Sequence, residues 1–144
     1  MPEPVPATPE ELLAVMPYAT ALGITLGTVT AELAEGQLPW APARCTSTGV
    51  LHGGALMSLA DTVGAVCAFL NLPPGASTAT VESKTNFFRG VRAGTLHVSA
   101  RPLHVGRSFI VVQTDLTDDS GRPVGQTTQT QAVLVPGPKP GDQA

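Results

Sequence analysis

Apolar and polar positions fall into three successive regimes along the chain. Near the start, Thr8-Pro9-Glu10-Glu11 has the form of a helix opening: a capping hydroxyl, a proline in the first turn, and acids at the positive end of the helix dipole. The short helix it predicts carries Leu12, Leu13, Val15 and Met16 and ends near Pro17, with a further turn over Tyr18–Leu22. From Ile24 the period shortens. Ile24–Ala34 and Gln37–Trp40 read as two strands turning at Glu35-Gly36, and Ala41–Gly49 as a loop. Then Gly53–Leu72 is apolar almost without interruption until Pro73-Pro74-Gly75 stops it, which predicts a long buried helix. Alternation resumes in Ser77–Phe88, Thr95–Val105, Ser108–Asp118 and Pro123–Val135, with a turn at Asp118-Asp119-Ser120-Gly121. Pro102 inside a strand predicts a bulge or an edge.

The order predicts an α+β domain. Strands joined by short turns are antiparallel, and a helix that is apolar on every side must be covered on every side. One curved sheet wraps only part of such a helix, so the remainder calls for another layer or a second subunit. The apolar run is close to the roughly 20 residues of a membrane span. Asp61 at its middle and the lack of flanking basic residues make it the core helix of a soluble fold instead. Residues 1–22 form an N-terminal helical segment, 23–135 the domain, and the Pro/Gly-rich 136–144 a disordered tail.

Composition narrows the classes. At 144 residues the chain makes one domain with a sizeable core. A net charge of −3 argues against a nucleic-acid partner. Two cysteines, neither at metal-ligand spacing, make neither a disulfide framework nor a metal site, and nothing calls for a cofactor. The start of the chain lacks a basic leader segment, so the simplest compartment is the cytoplasm.

Three features carry chemistry. Asp61 is the only formally charged side chain between Ser47 and Val81. A carboxylate there is placed to act as base or nucleophile, or else it sits at a wet groove held by Ser58 or Thr62. His52-Gly53-Gly54 opens the same helix, where paired glycines admit a ligand to free amides at the positive end of the dipole. That arrangement suits an oxyanion. Lys84, Arg89, Arg92, Arg101 and Arg107 lie in a stretch without any acid between Glu82 and Asp115, a stripe that would suit phosphates or form ordinary solvated strand faces. Gly53 and Asp61 are eight residues apart, about 12 Å along a helix. Groups so far apart on one chain cannot readily meet at one carbonyl, which again points to a second subunit.

Gly49-Val50-Leu51-His52-Gly53-Gly54-Ala55 followed by Ser58-Leu59-Ala60-Asp61 resembles the hotdog-fold acyl-CoA thioesterases of the phenylacetate-degradation type. Asn86-Phe87-Phe88-Arg89-Gly90-Val91, His104-Val105-Gly106-Arg107-Ser108 and Asp119-Ser120-Gly121-Arg122 extend the likeness to roughly Gly23–Val135. The stretch is also similar to 4-hydroxybenzoyl-CoA and 1,4-dihydroxy-2-naphthoyl-CoA thioesterases, which carry Glu where this chain has Asp61. The resemblance implies a curved antiparallel sheet around the central helix and hydrolysis of an acyl-CoA thioester. It makes Asp61 the catalytic carboxylate and the Gly53 amide the group that polarises the carbonyl. His52 then shapes the loop, and Thr80 stands near the attacking water. Gly54, Phe87, Phe88, Arg89 and Gly90, with His104, Gly106, Arg107 and Ser108, line the CoA channel. It also implies a homodimer as the minimal active unit and two dimers in a homotetramer. Two positions depart from the pattern: Thr46 stands where relatives have Asn or Gln, and Ala65 where the Glu-bearing branch can carry Thr. A non-catalytic acyl-CoA-binding module and a hydratase or dehydratase on the same fold are the competing readings.

Overall fold

The computed structural model describes residues 8–138, 140 and 141. Of the expected N-terminal segment, residues 1–7 lie outside the described residues, and so do 139 and 142–144 of the expected tail. The elements are α1 (Pro9–Ala14), α2 (Pro17–Leu22), β1 (Thr25–Val29), β2 (Ala34–Pro39), α3 (Gly53–Phe69), β3 (Ser77–Phe87), β4 (Thr95–Val105), β5 (Phe109–Thr117) and β6 (Pro123–Leu134). Helix α1 opens with a full capping box, in which Glu11 N–H donates to Thr8 Oγ1 at 3.1 Å and Thr8 N–H donates to Glu11 Oε2 at 3.0 Å.

One antiparallel sheet runs β1-β2-β4-β5-β6-β3, and α3 packs along one face of it. The core side of the sheet is aliphatic in β4 and, Thr114 apart, in β5, where Leu96, Val98, Ala100, Ile110, Val112 and Leu116 are fully or almost fully buried. In β6 the corresponding positions are Thr127, Gln129 and Gln131, buried and polar. Pro102 does precede a bulge, between Pro102 and His104, and it lies past the last β4 residue that pairs with β2.

One expectation is corrected. The β1–β2 turn falls at Thr30–Leu33, closed by hydrogen bonds between Thr30 and Leu33, and Glu35-Gly36 lies inside β2. Gly36 serves packing: a Cβ there would stand 2.5 Å from Val63 Cγ2, so the missing side chain lets α3 approach the sheet. The sheet leaves one side of α3 uncovered among the described residues. Ala55, Leu56, Leu59, Ala60, Val63, Val66, Cys67 and Ala68 are buried, while Gly54, Met57, Asp61 and Phe69 form an exposed stripe at helical spacing. Burial at Cys67 pushes its thiol up to about 11, as expected for an inert core residue.

Candidate active site

The loop before α3 is pinned from several directions. Trp40 Nε1 donates to the Gly49 carbonyl at 3.0 Å. Arg44 donates from Nε to the Leu22 carbonyl and from a terminal nitrogen to the Pro39 carbonyl, and its own carbonyl accepts from His52 N–H. The loop thereby sets His52 as the cap of α3, with Nδ1 accepting from Gly54 N–H at 2.8 Å. A Cβ on Gly54 would lie 2.9 Å from that Nδ1, so glycine is what allows the cap. With Gly54 N–H engaged and Ala55 N–H bonded to the His52 carbonyl, the Gly53 N–H is left without a partner among the described residues. Gly53 borders an open cavity of about 360 Å³, walled in part by Phe87, Phe88, Arg89 and Gly90.

Asp61 lies elsewhere on the helix. Ser58 and Thr62 do not hold it, because their hydroxyls donate to the Gly54 and Ser58 carbonyls of their own helix. The carboxylate is held from the sheet. Gln129 Nε2 donates to Oδ1 at 3.3 Å, and Thr80 Oγ1 donates to the same oxygen at 3.4 Å. Thr80 in turn accepts from Gln131 Nε2 at 2.8 Å. A bulge at Val81, between Thr80 and Glu82, breaks the β3–β6 register beside this cluster. Gln129 is fully buried, its Oε1 has no partner, and a Cβ on Gly64 would collide with it. Asp61 and Thr80 line a second cavity of about 350 Å³ together with Met57, Ser58 and Ser83, which shares no lining residue with the cavity at Gly53. Tyr18 on α2 reaches its edge, with its hydroxyl 2.9 Å from Ser58 Oγ.

Of the residues singled out from the sequence, the chain brings Asp61 to Thr80, and Gly53 to Phe87, Phe88, Arg89 and Gly90. The two groups stay apart. Thr46 lines neither cavity, and its hydroxyl lies 3.3 Å from that of Thr48. His104 lies near the end of β4, paired with Val111, and Gly106, Arg107 and Ser108 form the β4–β5 turn, closed by Gly106 N–H donating to the Phe109 carbonyl. Phe109 pairs with Ala132, which pairs with Ala79, whereas Phe87 pairs with Gly125. The turn and the Phe87–Gly90 wall therefore sit at opposite ends of the sheet, separated by seven β6 residues, or roughly 23 Å at about 3.3 Å per residue. Gln129, Gln131, Gly64 and Tyr18 were not foreseen. For the two glutamines the signal was the run Gln126-Thr127-Thr128-Gln129-Thr130-Gln131, which puts amides and hydroxyls beside strands whose core side is mainly aliphatic.

A long helix laid along one antiparallel sheet, entered by a histidine-capped glycine pair and carrying one carboxylate on its open face, is the hotdog architecture of thioester hydrolases. Residues 48–124 match the thioesterase superfamily, and the chain belongs to that family. It is 32% identical over 101 residues to the proofreading thioesterase EntH of Klebsiella pneumoniae, spanning 70% of this chain and 74% of that protein. It is 33% identical over 86 residues to the 1,4-dihydroxy-2-naphthoyl-CoA hydrolase of Escherichia coli, spanning 60% of this chain and 63% of that protein. The crystal structure of a Haemophilus influenzae thioesterase superposes with a TM-score of 0.84 at 28% identity, covering 89% of this chain and 91% of the other.

Proposed function

We propose that the protein hydrolyses an acyl-CoA thioester to the free carboxylic acid and CoA. The reading rests chiefly on the pairing of an unpartnered Gly53 N–H at a helix N-terminus with a sheet-held carboxylate two turns on. The Gly53 amide and the helix dipole polarise the thioester carbonyl and take up the charge that develops on its oxygen. Asp61 acts on the carbonyl carbon, either by taking a proton from water or by direct attack. As base, it leaves the hydroxide oxygen on the acyl carbon while the C–S bond breaks, and the proton goes to the departing thiolate. As nucleophile, it forms an acyl anhydride as the C–S bond breaks and the CoA thiolate leaves; water then opens the anhydride to the free acid and the Asp61 carboxylate, and its proton goes to the thiolate.

The site is shared between two chains. Gly53 and Asp61 open into different cavities of one chain. A two-fold partner brings the helix start of one copy to the helix middle of the other. Strand β3 is an eleven-residue edge with Val81 and Phe87 exposed, and the stripe on α3 lies uncovered beside it. An open edge next to an open apolar face supports a homodimer, with a pair of dimers as the larger assembly. In such a shared site Arg89 comes from the chain that supplies Gly53 and Arg107 from the chain that supplies Asp61, and both face the CoA phosphates. A thiol-release assay over a panel of acyl-CoAs tests the reading, with Asp61→Asn as the control. The variant is nearly isosteric and should lose on the order of 100-fold or more in turnover. Wild-type turnover in Asp61→Asn removes the mechanism, and substrate binding without turnover by the wild type favours the binding module.

A further inference from the structure

A third cavity, of about 200 Å³, lies between α1 and α3, bordered by Leu12, Val15 and Met16 on one side and by Ala65, Val66, Phe69 and Thr78 on the other. We propose that it receives the acyl tail of the thioester, and that the tail it takes is apolar from end to end. The proposal rests on the thioesterase reading above and adds the substrate class to it.

Position argues for this occupant. Ala65 is four residues beyond Asp61 and borders the same uncovered stripe of α3, about 6 Å further along the axis. Thr78 precedes Thr80 by two residues and so projects from the same face of β3. Ala65 on α3 and Thr78 on β3 thus border this cavity from the same two elements that carry Asp61 and Thr80. An acyl group whose carbonyl sits at Asp61 extends naturally into it.

Chemistry argues for the class. Six of the seven side chains are hydrocarbon or thioether. The seventh, Thr78, is already engaged, with its hydroxyl 2.9 Å from the Ala132 carbonyl and 3.1 Å from Gln131 Oε1. Among the described residues no charged side chain lines the space. A hydroxyl or carboxylate at the far end of the tail would leave water and find no partner. The volume suits a single ring or a short chain, since an apolar cavity of about 150 Å³ holds benzene.

The test measures kcat/KM for acetyl-, hexanoyl- and adipoyl-CoA on the wild type, Ala65→Leu and Val15→Lys, with the mass of each assembly determined by light scattering. Hexanoyl-CoA should exceed acetyl-CoA by at least about 100-fold, because four more methylene groups are buried. It should exceed adipoyl-CoA, which ends in a carboxylate, by at least as much. Ala65→Leu fills the cavity from the helix side and should cut the hexanoyl-to-acetyl ratio at least about tenfold. Should that variant fail to fold, Val15→Lys at the solvent edge carries the same expectation. Similar rates for acetyl- and hexanoyl-CoA, or an unchanged ratio in the folded variants, overturn the proposal and leave thioester hydrolysis standing. Val15→Lys that dissociates the assembly without altering the ratio makes the cavity a subunit contact and also overturns it. A wild type that hydrolyses none of the three removes the thioesterase reading, and the subsite with it.

Discussion

Gly64 is shaped to Gln129: the buried amide of the strand residue occupies the space that a Cβ on the helix residue would need. That fit lets Gln129 reach past the helix backbone to Asp61 Oδ1. Gly64→Ala is therefore expected to damage turnover more than stability. The alanine gains about 1 kcal/mol of helix propensity, set against about 1–3 kcal/mol of overpacking. Gln129→Leu should leave stability within about 1 kcal/mol, since it removes an unsatisfied buried oxygen, yet lower turnover about tenfold. Thermal unfolding and kcat measured on both variants check this, and unchanged kcat in both would make the contact irrelevant to Asp61.

Arg107→Ala should raise KM for a CoA thioester with little change in kcat, because a phosphate contact is uniform through the reaction. A truncated thioester without the nucleotide should not feel the substitution. Equal effects on the two substrates would remove Arg107 from the CoA site.

A shared site predicts complementation. Asp61→Asn and a chain with Gly53 replaced by a bulky residue should each be inactive. Refolded together, they should form hybrids with one intact and one doubly damaged site, recovering about a quarter of wild-type activity for random pairing of independent sites. Verified hybrids without recovery, under conditions that refold the wild type, would place both groups within one chain.

Asp118 offers a pH test in the β5–β6 turn. Its carboxylate accepts from the Ser120 hydroxyl at 2.7 Å, from the Arg122 and Ser120 amides, and from Arg122 Nε. Chiefly through the Ser120 hydroxyl, these bonds hold it down to about 2 against an ordinary 3.8. A lowered folded-state value stabilises above the unfolded one and is lost as pH falls from about 4 through about 2. Asp118→Asn should thus lower Tm at pH 7, with the gap to wild type shrinking across that window. A gap independent of pH would mean that the charge plays no part.

The helix, the strands of the meander and the lone Asp61 were legible because each rests on a local pattern: an apolar run, a period of two, one charge in a neutral stretch. The β1–β2 turn was misplaced because Gly36 signals turning and close packing in the same way. Its real reason, Val63, lies 27 residues on. Gln129 and Gln131 were illegible because a glutamine in a strand reads as solvent-facing until register puts it beside a specific partner. The separation of Phe87 from Arg107 is likewise a property of register, which pairs Ala79 with Ala132 and Phe87 with Gly125.

Trp40 is the chain's single tryptophan, and its indole N–H is tied to the Gly49 carbonyl in the loop that delivers His52. The emission of the molecule therefore reports on one location, the entrance to α3. A molecule that settles beside Gly53 and shifts this loop alters the environment of that indole, with no second tryptophan to dilute the signal. The protein carries its own optical gauge, readable in a cuvette without a label, at the place where its chemistry would begin.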